Sequence, residues 1–282
     1  MGKINDMVWL IRRALLMDRK LFLNNKTMGL VEKAEIVLMK YISLIKHLFF
    51  PFSHGESNIS LQNHKLYYNS PYGIAGYQAV MCEHVPWLSN LDIKKNSLIL
   101  DIGANVGYVA LGCTKMFPKN QILCFEPGSA AFDSLKKNTK HHKRIQRYKL
   151  AIGVEKGKMN LFGKKSETAM ASLVAKNETE LVETVEVGSL DQFLKDNKLN
   201  KSIALLKIDV EGFELEVLKG AKKALKKTSY IHMEGNPKNY AISEIFKEIS
   251  KSGRKFQIKY LRNFSNNPDD ELLGFDMLLE LE

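Results

Sequence analysis

Ser97-Leu-Ile-Leu-Asp101-Ile-Gly103-Ala104-Asn105-Val-Gly107 decides the fold class. It is a short apolar run closed by an acid and a glycine-rich turn, and Val106 to Phe117 then keep helical spacing. The same unit recurs downstream. Gln121–Phe125 is an apolar run ending in Glu126-Pro127-Gly128, Ala130–Lys140 reads as a helix, and Gln146–Ile152 as a third strand. Met159–Phe162 and Thr184–Val187 read as shorter strands around a polar loop, with a helix over Leu190–Asn197. Ile203–Ile208 is a strand ending in Asp209, before a helix over Glu214–Lys227. Tyr230–Met233 ends in Glu234, Ala241–Ser252 is helical, and strands over Phe256–Leu261 and Phe275–Leu281 follow. Strands separated by helix-length segments predict an α/β fold, a mostly parallel sheet with helices on both faces. The last two strands, joined by a loop alone, should pair antiparallel.

In open parallel sheets ligands sit beyond the carboxyl ends of the strands, where strand order reverses. Those ends carry Asp101, Glu126, Asp209 and Glu234. One such acid is a helix cap; four suggest a site. A dinucleotide fingerprint needs glycine where Asn105 stands, so that backbone can approach a pyrophosphate. Asp101 also sets a negative charge beside the position of that pyrophosphate. The turn therefore suits a ligand with adenosine but no phosphates, and S-adenosylmethionine, a sulfonium cation, fits. Glu126 stands 19 residues after Gly107, near the spacing at which an acid reaches a ribose. A nicotinamide dehydrogenase is disfavoured by Asn105.

Upstream, Met7–Leu23 and Glu32–Phe50 have helical periodicity, and Ser53–Asn58 punctuates. Residues 1–55 thus form an N-terminal helical extension, packed on the main domain or a second subunit, or lying as a basic amphipathic element on a membrane surface. Residues 56–96 lead into the core, with a hairpin over Ile59–Tyr68 and a helix over Tyr77–Leu88, and 97–282 form the main domain. The most apolar stretch, Ile36–Phe52, is interrupted by Lys40 and Lys46. Each costs about 2.5–3.5 kcal/mol near a bilayer centre, so no span is expected. Arg12 and Arg13 break any early apolar run, which argues against a secretory signal.

The chain has 282 residues, 45% of them apolar and 26% charged, enough for a real core. Three cysteines with apolar neighbours, Cys82, Cys113 and Cys124, read as buried thiols of a reducing, cytoplasmic compartment. The net charge of +11 favours a polyanionic neighbour without naming one. Lys136–Lys149 holds seven Lys or Arg in 14 residues, which reads first as a solvated helix end.

With these features the sequence resembles the FkbM-type S-adenosylmethionine-dependent methyltransferases. The resemblance is carried by Leu100-Asp-Ile-Gly-Ala-Asn-Val-Gly-Tyr108, Cys124-Phe-Glu-Pro127 and Leu206-Lys-Ile-Asp-Val-Glu-Gly212. Phe213–Ala221 continues the last block, Ala171-Ser-Leu173 is similar to a family loop, and the likeness spans about residues 75–282. It implies a class I methyltransferase (Rossmann-like) sheet of seven strands and methylation of a hydroxyl on a sugar, glycan or lipid-linked acceptor. By resemblance and position, cofactor contacts fall to Asp101, Gly103, Ala104, Asn105, Gly107, Glu126, Pro127 and Ala151. Asp209, Glu211 and Glu234 are the candidates near the transferred methyl, as general base or as groups that steer the acceptor hydroxyl. The rival for Glu211 is capping of the helix from Glu214, and for Glu234 a solvated strand-end acid. No close His/Cys spacing supports zinc and no metal ligand is assigned, although Asp209, Glu211 and Glu234 are oxygen donors of the kind a divalent metal takes. RNA methylation is the alternative that the positive charge keeps open; against nucleic acid stand the missing Asn-Pro-Pro-Tyr type block and the missing RNA-binding module. A non-catalytic membrane-surface protein is the third reading.

Overall fold

The computed structural model describes residues 14–26, 28–49, 57–61, 64–68, 73–164, 167–174, 180–235, 239–263 and 274–282. Residues 14–24 are helical (α1), followed by α2 (Leu30–Phe49) and a hairpin of β1 (Ser57–Leu61) and β2 (His64–Tyr68). The turn expected near Asn63 and the start of the helix expected over Met7–Leu23 lie outside the described residues. A helix begins earlier than its apolar periodicity suggests, as α3 (Gly73–Ala79), widens into a π turn at Val80–His84, and closes as α4 (Val85–Leu88).

The alternating region then runs β3 (Leu98–Ile102), α5 (Tyr108–Met116), β4 (Gln121–Phe125), α6 (Ser129–Thr139) and β5 (Ile145–Tyr148). After β6 (Ala151–Ile152), β7 (Gly157–Lys164), β8 (Glu167–Ser172) and β9 (Glu180–Gly188), it resumes with α7 (Leu190–Asp196) and β10 (Ile203–Ile208). The chain continues through α8 (Glu214–Lys219), α9 (Lys222–Leu225), β11 (Thr228–Gly235), α10 (Ile242–Ser250), β12 (Phe256–Asn263) and β13 (Phe275–Leu281).

Seven strands form the main sheet in the order β12-β13-β11-β10-β3-β4-β5. The five from β11 to β5 pair in parallel, and β13 runs antiparallel to both neighbours, as the short final connection requires. One face buries Leu98, Leu100 and Ile102 of β3 against α7–α10 through Leu190, Val217, Leu225 and Ile249. The other face carries the alternate residues, such as Ile99 and Cys124, against α4–α6 through Leu88, Cys113 and Leu135. Both faces are covered, so the central strands read as continuous apolar runs. Each fully buried Leu or Ile contributes roughly 1.5–3 kcal/mol.

Two expectations need correction. The strand expected over Gln146–Ile152 is two strands in different sheets. β5 stops at Tyr148, and β6 pairs with β9 in a separate four-stranded sheet, β6-β9-β7-β8. That sheet includes β8, where the sequence shows only a polar loop. The helix expected over Glu214–Lys227 breaks at Gly220, where a Cβ would lie 1.8 Å from the Gly153 carbonyl oxygen. Asp191 accepts from the Lys223 and Ala224 amides and so caps a fresh start for α9.

The N-terminal helices pack on this body: Leu21, Met28 and Ile36 share a cluster with Tyr77, Val106 and Tyr108. No helix among the described residues is long and apolar enough to cross a membrane.

Candidate active site

The chain leaves β3 toward β4 and β5 on one side and later returns to β10 on the other. The crevice between the ends of β3 and β10 is therefore the topological switch point. After β3 the chain turns through Gly103 at φ +74°, a left-handed conformation that glycine adopts without steric cost. A Cβ there would fall 1.8 Å from the carbonyl oxygen of Asp209. The Gly103 and Ala104 amides both donate to the Phe125 carbonyl at 3.0 Å. Asn105 is left-handed at φ +48°, a state asparagine tolerates better than most residues. Its amide donates to Glu126 Oε2 at 2.8 Å, and the Gly128 amide donates to Glu126 Oε1 at 2.9 Å. Glu126 thus ties the end of β4 to the first turn. Burial pushes its pKa up to about 7, against the opposing pull of those two backbone donors.

Asp101 does not reach the crevice. It is buried behind the turn, and the ammonium of Lys207 on the neighbouring strand lies 3.2 Å from its Oδ1. Register explains this, because Lys207 of β10 stands directly opposite Asp101 of β3. The same Nζ lies 3.3 Å from Asp209 Oδ2 and donates to the Gly103 carbonyl at 2.9 Å. Burial lowers the Lys207 pKa, but Asp101 and Asp209 more than offset it, so the amine stays cationic. Burial raises that of Asp101, with Lys207 opposing. Lys207 is not among the site residues expected from sequence. Its signal was present all the same, a lysine inside an otherwise unbroken apolar strand, a place lysine takes only when paired.

Beyond β10 the Asp209 amide donates to Ile102, extending the ladder by one bond. The chain then turns through Glu211 (φ +56°) and Gly212 (φ +110°). The cap of this turn is Glu214, whose Oε1 accepts from the Gly212 amide at 2.9 Å and the Val210 amide at 3.4 Å. Ser172 of β8 donates its hydroxyl to the Glu211 carbonyl, joining the second sheet to the site loop.

These loops border a cleft open to solvent. Gly103, Asn105, Glu126 and Pro127 line one side, and Asp209 and Glu211 another. Leu150, Ala151, Leu161 and Leu173 form an apolar wall drawn largely from the second sheet. The described lining residues include three carboxylates and no Lys or Arg. Of the residues singled out from sequence, Asp101, Ala104, Gly107 and Glu234 are not in the lining. Ala104 is buried in the core, and Gly107, at φ +89°, precedes α5.

Glu234 sits at the end of β11, opposite Asp276 of β13. Burial, with Asp209, Asp276 and Glu211 close by, pushes its pKa up to about 9, so it holds a proton at neutral pH. His232, two residues earlier on the same strand face, is fully buried and paired with Asp276. Among the described residues no three His, Cys, Asp or Glu are arranged to hold a metal ion.

A seven-stranded sheet with one reversed strand, a glycine-rich turn after β3 and an acid closing its neighbour β4 is the class I methyltransferase architecture. The methyltransferase FkbM domain matches residues 101–258, more than half of the chain, and the chain belongs to that family. It is 30% identical over 156 residues to the 2-O-methyltransferase NoeI of Sinorhizobium fredii, covering 50% of this chain and 64% of that one. It is 29% identical over 143 residues to the hexuronic acid methyltransferase AglP of Haloferax volcanii, covering 51% and 57%. The matches thus span less than two thirds of the length of these relatives. Among solved structures, a putative transferase, PH0793, from Pyrococcus horikoshii superposes with a TM-score of 0.47 at 12% identity, over 88% of this chain and 85% of that one.

Proposed function

We propose that the protein methylates a hydroxyl oxygen of a sugar, glycan or glycolipid, with S-adenosylmethionine as donor. The observation that carries this reading is the charge of the cleft. Among the described residues, three carboxylates and no Lys or Arg line it beside an apolar wall, which suits a cationic adenosyl compound and repels a diphosphate. When bound, the donor supplies a methyl group activated by its sulfonium.

Glu126 would accept the ribose hydroxyls with the lone pairs left free by the Asn105 and Gly128 amides. Leu150, Ala151, Leu161 and Leu173 would take the flat base and exclude water from it. Asp209 and Glu211, which line the cleft, would receive the acceptor's hydroxyl proton and hold its oxygen in line. Lys207 fixes the Asp209 carboxylate from behind. Glu234, outside the cleft lining and protonated at neutral pH, would not serve as the resting base. The relatives named for 2-O-methylation and for a hexuronic acid support a carbohydrate hydroxyl as the acceptor class.

The test is incubation with methyl-labelled donor and separated saccharide, glycolipid and RNA fractions. Label should enter a carbohydrate-containing fraction and vanish with Asp209→Asn while donor binding persists. Label in RNA alone would replace this reading.

A further inference from the structure

The N-terminal helices carry apolar residues on the face turned away from the body as well as on the face packed against it. Along α1, Leu15, Leu16, Arg19, Phe22 and Leu23 recur at i, i+1, i+4, i+7 and i+8 and are all exposed. Along α2, Leu30, Val31, Ala34 and Leu38 recur at i, i+1, i+4 and i+8 and are exposed too. Val31 is 81% exposed, Leu30 75% and Leu23 63%. Several ionic groups point inward beside them. Lys40 is buried and paired with Asp18, which also accepts from Tyr41 and Gln78, and Glu32 is paired with Lys115. A solvated helix turns its apolar stripe to the core and its charges out. Seven of the twelve exposed large apolar residues among the described residues lie on this one short segment, which marks an interaction surface.

Charge selects the occupant. Arg19 within the stripe and Lys26 just after α1 are exposed, whereas no Asp or Glu of the described residues 14–43 is exposed. A second copy meeting the patch by two-fold symmetry would bring like charges together. Anionic lipid headgroups complement the cations while the leucines enter the acyl boundary. We infer that α1 and the start of α2 dock the protein on an anionic membrane surface, in the plane of the interface and without crossing it. This docking stands apart from the methyl-transfer reading and survives its failure.

Full-length protein would be sedimented with phosphatidylcholine vesicles, with and without phosphatidylglycerol. Binding should be at least ten-fold tighter to the anionic vesicles and should weaken with salt. Each cation near an anionic surface is worth about five-fold in affinity, so Arg19→Glu with Lys26→Glu should weaken binding more than ten-fold. Leu16→Ser with Leu23→Ser and Val31→Ser should abolish it. All five side chains are exposed, so circular dichroism and melting temperature should stay unchanged. The inference is overturned if folded wild-type protein ignores anionic vesicles, or if both variants bind as wild type does. It is likewise overturned if light scattering shows a dimer that the serine variant dissociates while vesicle binding is absent.

Discussion

Lys207 lies between two carboxylates, 3.2 Å from Asp101 and 3.3 Å from Asp209, and reaches both only because β10 and β3 are in register. One ammonium therefore joins the core side of the first turn to the candidate acceptor side of the cleft. Removing it as Lys207→Met leaves Asp101 buried without its cation. Chemical denaturation should show a loss of about 3–5 kcal/mol. The double variant with Asp101→Asn should lose less than the sum of the two single losses, by about 0.5–3 kcal/mol. Strict additivity would show that the pair does not act as a unit.

Glu126 ties the turn through two backbone amides, and its pKa of about 7 sets a pH dependence. Ribose hydroxyls donate best to the ionised carboxylate. Donor affinity should rise as pH increases through about 7 and then level off. Glu126→Gln should weaken donor binding by about 10- to 100-fold, since hydrogen bonds to charged groups are worth about 1.5–3 kcal/mol. It should also remove that pH dependence. Calorimetry at pH 6, 7 and 8 would check both effects.

The elevated pKa of Glu234 has the opposite consequence for folding. Its folded value of about 9 exceeds the ordinary 4.5, so the native state holds the proton more tightly than the unfolded chain. Stability contributed by this group is complete below about 4.5 and is lost as pH climbs to about 9. Glu234→Gln should flatten the decline in stability across that range. Unfolding midpoints at pH 5, 7 and 9 would measure it, and parallel curves for the two proteins would contradict the assignment.

Gly103 cannot accept a side chain, because its φ is +74° and a Cβ would meet the Asp209 carbonyl at 1.8 Å. Gly103→Ala should cost about 2–5 kcal/mol from strain plus overpacking. A Gly128→Ala comparison should be milder, since that Cβ would meet its nearest atom, Glu126 Oε1, at 3.1 Å.

Much of this was legible from residues alone, for physical reasons. Central strands buried on both faces leave apolar runs such as Leu98–Ile102, and strand-end acids stand out against them. What depended on tertiary contacts was not legible. The split after Tyr148 follows from β6 pairing with β9, a partner some 35 residues away. Strand β8 is polar enough to read as loop and is held by pairing to β7. The break at Gly220 is imposed by the backbone of Gly153. At the site, two of the four strand-end acids, Glu126 and Asp209, line the cleft, whereas Asp101 and Glu234 lie outside the lining, and only register shows that Asp101 faces Lys207. Glu214, read only as the start of a helix, turns out to cap the loop beside Glu211.

Titration calorimetry of the purified, folded chain with S-adenosylmethionine and, separately, with NADP asks whether an acid-lined cleft selects a cationic adenosyl compound. Saturable one-to-one binding of the first and no heat from the second is the expected outcome. Saturation by NADP, or neither heat nor thermal shift with S-adenosylmethionine, would contradict it.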